Sequence, residues 1–132
     1  MGRSEGEMIG IIVVAHDHLA EGLVETAQAI MGPQQYVDTI AVEAQTENLQ
    51  EVFNHKAQKM LEQVDEIVWL IDIFGGTPFR YASQCVVNHE NQHLVTGMNL
   101  PMLLQALTNR NLPAKKLTKQ LEDESKEAIR RI

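Results

Sequence analysis

The sequence predicts an α/β fold, arranged as a three-layer sandwich around a mainly parallel sheet. Apolar, strand-like runs alternate along the chain with helical patterns, and this alternation is typical of strands joined by right-handed helical crossovers. The first and third runs are continuously apolar, as expected for strands that helices cover on both faces. Because there are four such strands, we expect the flavodoxin-like sheet order 2-1-3-4.

The predicted elements follow one another without an internal linker or repeat. We predict strands at residues 8–15, 36–42, 66–71 and 92–97. The first helix carries apolar residues at helical spacing from Leu19 to Ile30, and Gly32 then ends it. A fifth, amphipathic helix is predicted over residues 114–128, and residues 129–132 are a candidate short terminal strand.

The second, third and fourth helices begin with capping signals. Thr46 is expected to be the N-cap of the second helix, because its hydroxyl precedes a long apolar stripe. Thr77 is expected to cap the third helix, with Pro78 at the first helical position. The segment from Asn99 to Pro101 is expected to open the fourth.

Composition limits the class of protein. The chain has 132 residues, enough for one domain, which we expect to span residues 8–132 after a flexible polar leader at 1–7. No apolar run approaches the roughly 18 residues that cross a bilayer, and no signal-peptide core is evident. A net charge of -7 argues against nucleic-acid binding. The single cysteine, Cys85, is expected to pack in the core and fits a reducing cytoplasm.

The predicted topology brings two polar side chains together. His16 follows the first strand and Asp72 follows the third, and in the order 2-1-3-4 these strands are neighbours at the point where ligands bind. The helices that follow both strands point their N-termini at the same crevice, where unpaired N–H groups favour anions. Gly75 and Gly76 allow the backbone to come close to such a ligand.

An imidazole beside a carboxylate at an anion site indicates phosphoryl transfer. The carboxylate fixes one ring nitrogen, leaves the other with a free lone pair and stabilises the cation that forms when it attacks. No G-x-x-x-x-G-K-[ST] segment is present, so a nucleotide donor is not indicated and we expect no cofactor. The sequence therefore predicts a phosphohistidine at His16, formed with another protein as donor.

Three segments of the sequence resemble the motifs of one family. A-H-D-H-L-A-E-G-L, from Ala15, resembles the phosphorylation motif of the mannose-family (mannose/fructose/sorbose) IIA components of the bacterial phosphoenolpyruvate-dependent sugar phosphotransferase system (PTS). D-I-F-G-G-T-P-F-R, from Asp72, and G-M-N-L-P-M-L-L-Q-A-L, from Gly97, are similar to its second and third motifs. The similarity covers most of residues 10–107.

The resemblance implies a phosphotransferase with a defined set of partners. His16 matches the histidine that accepts a phosphoryl group from the phosphocarrier protein HPr and passes it to a IIB component, with the IIC and IID membrane components downstream. Asp72 matches the carboxylate that orients this histidine. Thr77 matches a hydroxyl position near the phosphoryl oxygens. Family members are cytoplasmic homodimers with a swapped C-terminal edge strand, which residues 129–132 could supply.

Two residues depart from the family pattern and are candidate modulators of transfer. Asp17 stands where the family usually has glycine, directly after the phosphorylated histidine, and its charge would repel an incoming phosphate. Arg80 replaces the commoner asparagine after T-P-F. It could offset the charge of Asp17 or contact a partner.

Three alternatives remain open from the sequence. One is the phosphotransferase subunit of a dihydroxyacetone kinase, although its usual S-H-S loop is absent. Another is a regulatory phosphocarrier that transports no sugar. A third, of a different class, is a metal-dependent hydrolase using His16, Asp17, His18 and Asp72. The sequence does not identify the sugar, because a IIA domain handles only the phosphoryl group.

Overall fold

The computed structural model describes residues 8–132, and the expected leader at residues 1–7 lies outside them. Strands and helices alternate through the first eight elements, and a fifth helix completes the chain. The elements are β1 (Gly10–His16), α1 (Leu19–Met31), β2 (Val37–Val42), α2 (Leu49–Leu61), β3 (Ile67–Ile71), α3 (Thr77–Val87), β4 (Gln92–Thr96), α4 (Leu100–Thr108) and α5 (Ala114–Glu127).

The four strands form one parallel sheet in the order β2-β1-β3-β4, which confirms the predicted order. In the register of the central pair, Val14 of β1 lies opposite Ile71 of β3. The two strands therefore end side by side, and the residues that follow them emerge at the same carboxyl edge. The candidate site was predicted from the sequence at this same edge.

Two apolar cores cover the two faces of the sheet. Alternate residues of β1 and β3 point to opposite faces, as the period of a strand requires. One core joins Val13 and Leu70 to α1, α4 and α5. The other joins Val14 and Trp69 to α2 and α3 and includes Cys85, which is buried as predicted. All five residues of β3 are buried, in agreement with its continuously apolar sequence.

Two of the predicted helix caps are wrong. The second helix begins after Asn48, which adopts a left-handed conformation, and Thr46 instead accepts a hydrogen bond at Oγ1 from the Glu43 N–H. The third helix has Gly76 at its N-cap, so Thr77 is already its first residue. The fourth helix begins in the predicted segment, and the Asn99 side chain caps it by accepting a hydrogen bond from the Met102 N–H at 3.0 Å.

The C-terminal residues 129–132 form no strand in this sheet, so the candidate terminal strand is not found within a single copy of the chain. Ile129 and Ile132 are exposed. Of the helices in residues 8–132, none combines the length and the apolar character needed to span a bilayer.

Candidate functional site

His16 and Asp72 lie in direct contact at the carboxyl edge of the sheet, as the predicted topology requires. His16 is the last residue of β1, and Asp72 follows the last residue of β3. The ring Nδ1 of His16 lies 2.7 Å from Oδ2 of Asp72. The backbone N–H of His16 donates to the same oxygen at 3.0 Å. Asp72 therefore fixes both the position of the residue and the orientation of its ring.

The carboxylate of Asp72 is held in its ionised form. Burial alone would raise the pKa of Asp72, but hydrogen bonds from His16 and from the Ile73 N–H outweigh it, so this pKa lies below its ordinary value. An ionised carboxylate only accepts hydrogen bonds, so the His16 Nδ1 must carry the proton of this pair.

The other ring nitrogen of His16, Nε2, is available to a reaction partner. Within residues 8–132 it has no hydrogen-bond partner, and the side chain is 48% exposed. With Nδ1 protonated, Nε2 of the neutral ring carries a lone pair. The pair thus presents an oriented nucleophile to solvent.

Gly75 and Gly76 form a tight turn beside the imidazole. Gly75 has φ of 86°, a left-handed conformation that glycine adopts without strain. A Cβ placed on Gly76 would lie 3.2 Å from Cε1 of His16, closer than ordinary van der Waals contact. Glycine at position 76 therefore leaves room for the ring.

Two helix N-termini face the same edge of the sheet. The helix α3 begins at Thr77, and its first internal hydrogen bond runs from the Arg80 N–H to the carbonyl of Gly76. The N–H groups of Thr77 and Phe79 thus have no acceptor within the helix and can donate to an anion. The Thr77 side chain is exposed and has no hydrogen bond within the described chain. The helix α1 begins at Leu19, directly after the His16 turn.

Asp17 and His18, the sequence neighbours of His16, do not join the His16–Asp72 pair, and neither does Arg80. Asp17 is exposed and adopts φ of 52°, the left-handed region that glycine prefers. The Nε2 of His18 points to Glu43, whose Oε1 lies 3.7 Å away. Arg80 donates to the Tyr81 hydroxyl and lies over its ring, and no ion pair within residues 8–132 joins it to Asp17. Any charge compensation by Arg80 therefore does not take the form of a direct ion pair, and its role as a modulator stays a prediction.

The arrangement does not favour the metal alternative. In the part of the chain that the structure describes, no three His, Cys, Asp or Glu side chains come together as a group that could hold a metal ion. Of the four residues in that hypothesis, only His16 and Asp72 are in contact.

An exposed apolar rim beside His16 was not predicted from the sequence. Ile73 and Phe74, which follow Asp72, are 52% and 76% exposed, and Leu19, the first residue of α1, is 49% exposed. The ring centroids of Phe74 and Phe79 lie 4.7 Å apart. The sequence did contain a signal for this rim, because Phe74 stands in a glycine-rich loop. An apolar side chain in such a loop is expected to stay exposed rather than enter the core.

Comparison with known proteins agrees with this geometry. The family EIIA-man, described as "PTS system fructose IIA component", matches residues 10–124. The chain is 32% identical over 127 residues to the PTS system fructose-specific EIIA component of Bacillus subtilis, covering 92% of this chain and 85% of that protein. It is 34% identical over 106 residues to the PTS system mannose-specific EIIAB component of Escherichia coli, covering 78% of this chain and 32% of that protein. It thus spans about a third of the length of that longer relative.

A solved structure supports the same assignment. The crystal structure of phosphotransferase system component EIIA from Streptococcus agalactiae has a TM-score of 0.82 and 30% identity, covering 94% of this chain and 97% of that one. The fold and site define an α/β domain with an oriented histidine at the switch point. The chain belongs to the EIIA-man family of PTS IIA components, which are phosphotransferases. The dihydroxyacetone kinase and hydrolase alternatives are not favoured.

Proposed function

We propose that this chain is a phosphoryl carrier in sugar uptake, accepting a phosphoryl group on His16 from phospho-HPr and passing it to a IIB component. The observation that carries the proposal is the His16–Asp72 pair, in which the carboxylate engages Nδ1 and leaves Nε2 accessible. The family match supports the same role. The downstream IIC and IID membrane components and a cytoplasmic location are part of this proposal.

The transfer is an in-line displacement between two imidazoles. The lone pair of His16 Nε2 attacks the phosphorus of the donor phosphohistidine, a new P–N bond forms, and the donor P–N bond breaks with its electron pair returning to the donor nitrogen. The proton on His16 Nδ1 stays in place. Asp72 stabilises the positive charge that develops on the ring during attack. Transfer to the IIB component reverses these roles.

Gly75, Gly76 and Thr77 are proposed to hold the phosphoryl oxygens. The backbone N–H of Thr77 at the start of α3 is free to donate to an anion, and its exposed hydroxyl can add a second hydrogen bond. Gly76 keeps space beside Cε1 of His16, the ring atom bonded to Nε2. A phosphoryl group on Nε2 would therefore form next to these donors.

The proposal is tested by incubating the purified chain with phosphoenolpyruvate, the general PTS enzyme I and HPr. We expect an acid-labile, alkali-stable label on His16 that then moves to a IIB component. His16→Ala should abolish the label, and His18→Ala is the matched control, because His18 lies two residues away and pairs with Glu43. An unlabelled wild-type chain, or a label that persists in His16→Ala, would contradict the proposal.

We further propose that the chain forms a homodimer in which residues 129–132 of one copy add to the sheet of the other. Within the described chain the outer edge of β4 pairs with no strand. A groove of about 670 Å³ runs along this edge and is lined by Leu94, Val95 and the exposed Ile129. An added strand would satisfy the free backbone groups of this edge.

The dimer is tested by measuring mass in solution by light scattering. We expect a dimeric mass for the wild-type chain and a monomeric mass for Ile129→Asp. The control is Val87→Asp, which places the same charge at an equally exposed apolar residue away from the groove. A monomeric wild-type chain, or a dimer that Ile129→Asp leaves intact, would overturn the strand exchange.

A further inference from the structure

A polar groove between α2 and α3 lies apart from the His16 site. It has a volume of about 410 Å³, and its polar lining residues are Gln50, Asn54, Gln58, Gln84, Asn88, His89 and Gln92. None of the described residues lining it is Asp, Glu, Lys or Arg. Amide side chains offer both donors and acceptors without a formal charge. The groove therefore suits a neutral ligand with many hydrogen-bonding groups.

Gln92 is the residue that points most directly to a ligand. It opens β4, is only 3% exposed and lines the groove. Its Oε1 accepts a hydrogen bond from the buried Trp69 Nε1 at 2.9 Å. An indole N–H only donates, so the Gln92 atom that faces Trp69 must be the amide oxygen. The Nε2 atom of Gln92 therefore faces away from Trp69. Within the described chain this Nε2 has no hydrogen-bond partner.

The groove also contains an acceptor without a partner. The Oε1 atom of Gln50 is buried, and no donor within residues 8–132 reaches it. The Nε2 of the same residue donates to Asn54, so the other end of the side chain is held in place. The Oε1 atom has almost no accessible surface, so a ligand can meet it only when the Gln50 side chain shifts toward the groove. A buried polar atom without a partner costs free energy that such a shift can recover. The lining thus has an unpaired donor and an unpaired acceptor.

We propose that this groove binds a neutral, hydroxyl-rich small molecule of the monosaccharide or hexitol class. A hydroxyl group both donates and accepts, so it can accept from Gln92 Nε2 and, once the Gln50 side chain shifts toward the groove, donate to Gln50 Oε1. A phosphorylated sugar is disfavoured, since no Lys or Arg among the described lining residues compensates its charge. Gln92 begins β4 at the amino edge of the sheet, whereas His16 lies at the carboxyl edge, so the groove is separate from the phosphoryl site.

The proposal is tested by ¹H–¹⁵N NMR titration of the full chain with D-glucose, D-mannose, D-fructose and sorbitol, each to about 10 mM, and with glucose 6-phosphate. At this concentration a ligand with a Kd of about 1 mM is close to saturating. We expect at least one neutral compound to give saturable shifts of the Gln92 side-chain amide and of Asn88, with glucose 6-phosphate binding no tighter than glucose.

Gln50→Met removes the unpaired acceptor at nearly constant volume and should weaken this binding about fivefold. The matched control is Gln105→Met, on α4 and outside the groove, which should leave it unchanged. Absence of saturable groove shifts with every neutral compound, tighter binding of glucose 6-phosphate, or unchanged binding in Gln50→Met would overturn the proposal. None of these outcomes bears on the labelling of His16.

Discussion

A single carboxylate oxygen, Oδ2 of Asp72, accepts hydrogen bonds from both the backbone N–H and the ring of His16. The second oxygen, Oδ1, accepts from the Ile73 N–H at 2.9 Å, so the carboxylate itself cannot rotate. The strand order makes this possible, because β1 and β3 are neighbours and end together. The orientation of the proposed nucleophile is therefore fixed by backbone contacts on both sides of the pair.

Asp72→Asn should reduce the rate of His16 phosphorylation about tenfold to a hundredfold. The amide is nearly isosteric but has no charge, so the developing imidazolium loses a charge-assisted hydrogen bond of about 1.5–3 kcal/mol. The measurement is the initial rate of labelling by phospho-HPr. Asp38→Asn is the control, because Asp38 also accepts hydrogen bonds, from Lys56, but belongs to β2. Equal rates for wild type and Asp72→Asn would show that the carboxylate only supports the fold.

The same pair should make stability depend on pH in the acid range. The pKa of Asp72 is lower in the folded protein than in the unfolded chain, where it is about 3.9. Ionised Asp72 therefore stabilises the fold fully above a pH of about 3.9. This contribution disappears as the pH falls through the folded-state pKa. Urea unfolding of wild type and Asp72→Asn should therefore give different free energies at neutral pH. The difference should shrink when the pH is lowered below about 4. A difference that is constant over this range would contradict the assignment.

Gly76→Ala should slow phosphorylation without unfolding the protein. The added Cβ would lie 3.2 Å from Cε1 of His16 and 3.4 Å from Ile73, so the ring must shift by a few tenths of an ångström. Positioning errors of this kind cost catalysis more than stability. Gly22→Ala is the matched control, since a Cβ at that helical glycine meets no atom within 4 Å. That variant should keep the wild-type rate and gain about 0.5–1 kcal/mol of stability.

The sequence predicted those parts of the molecule that depend on periodicity and chain order. Continuous apolar runs identified the buried strands, and the strand order then brought His16 and Asp72 together. The helix caps were less predictable, because a hydroxyl that precedes a helix can form its hydrogen bond within the preceding loop instead of with the helix. Thr46 does so by accepting from Glu43. Similarly, glycine needs no side chain to be an N-cap, and Gly76 displaced the cap predicted at Thr77.

Arg110 was not predicted because its role depends on contacts distant in sequence. It is only 5% exposed, and its guanidinium donates to the carbonyls of Ile9, Gln35 and Tyr36. Burial lowers the pKa of Arg110 to about 10, so the group stays charged at neutral pH. Nothing in the local sequence pattern distinguishes this arginine from one on the surface.

Arg110→Met should destabilise the fold by about 3 kcal/mol, because it removes the guanidinium donors to the buried carbonyl of Ile9 and one donor each from the carbonyls of Gln35 and Tyr36. The expected measurement is a lower midpoint of urea unfolding, with the rate of His16 labelling unchanged in native conditions. The control is Arg130→Met at an exposed position, which should change stability little. Similar midpoints for the two variants would show that the contacts of Arg110 contribute nothing to stability.

Asp17→Gly should raise the rate of His16 phosphorylation. Asp17 is exposed beside the nucleophile, and its carboxylate repels the incoming phosphoryl group, whereas glycine also adopts the left-handed φ of 52° without strain. Repulsion between exposed charges is screened by salt, so the advantage of the variant should be largest at low ionic strength. Labelling rates measured at two salt concentrations test both statements.

Asp17→Asn separates the two effects, because asparagine removes the charge but tolerates the left-handed region about as well as aspartate. If charge repulsion is the cause, Asp17→Asn should reproduce most of the gain in rate that Asp17→Gly gives. A gain that only the glycine variant shows would assign the effect to the backbone of the turn. A loss of rate in both variants would mean that the carboxylate assists transfer, by attracting a basic donor protein more strongly than it repels the phosphoryl group.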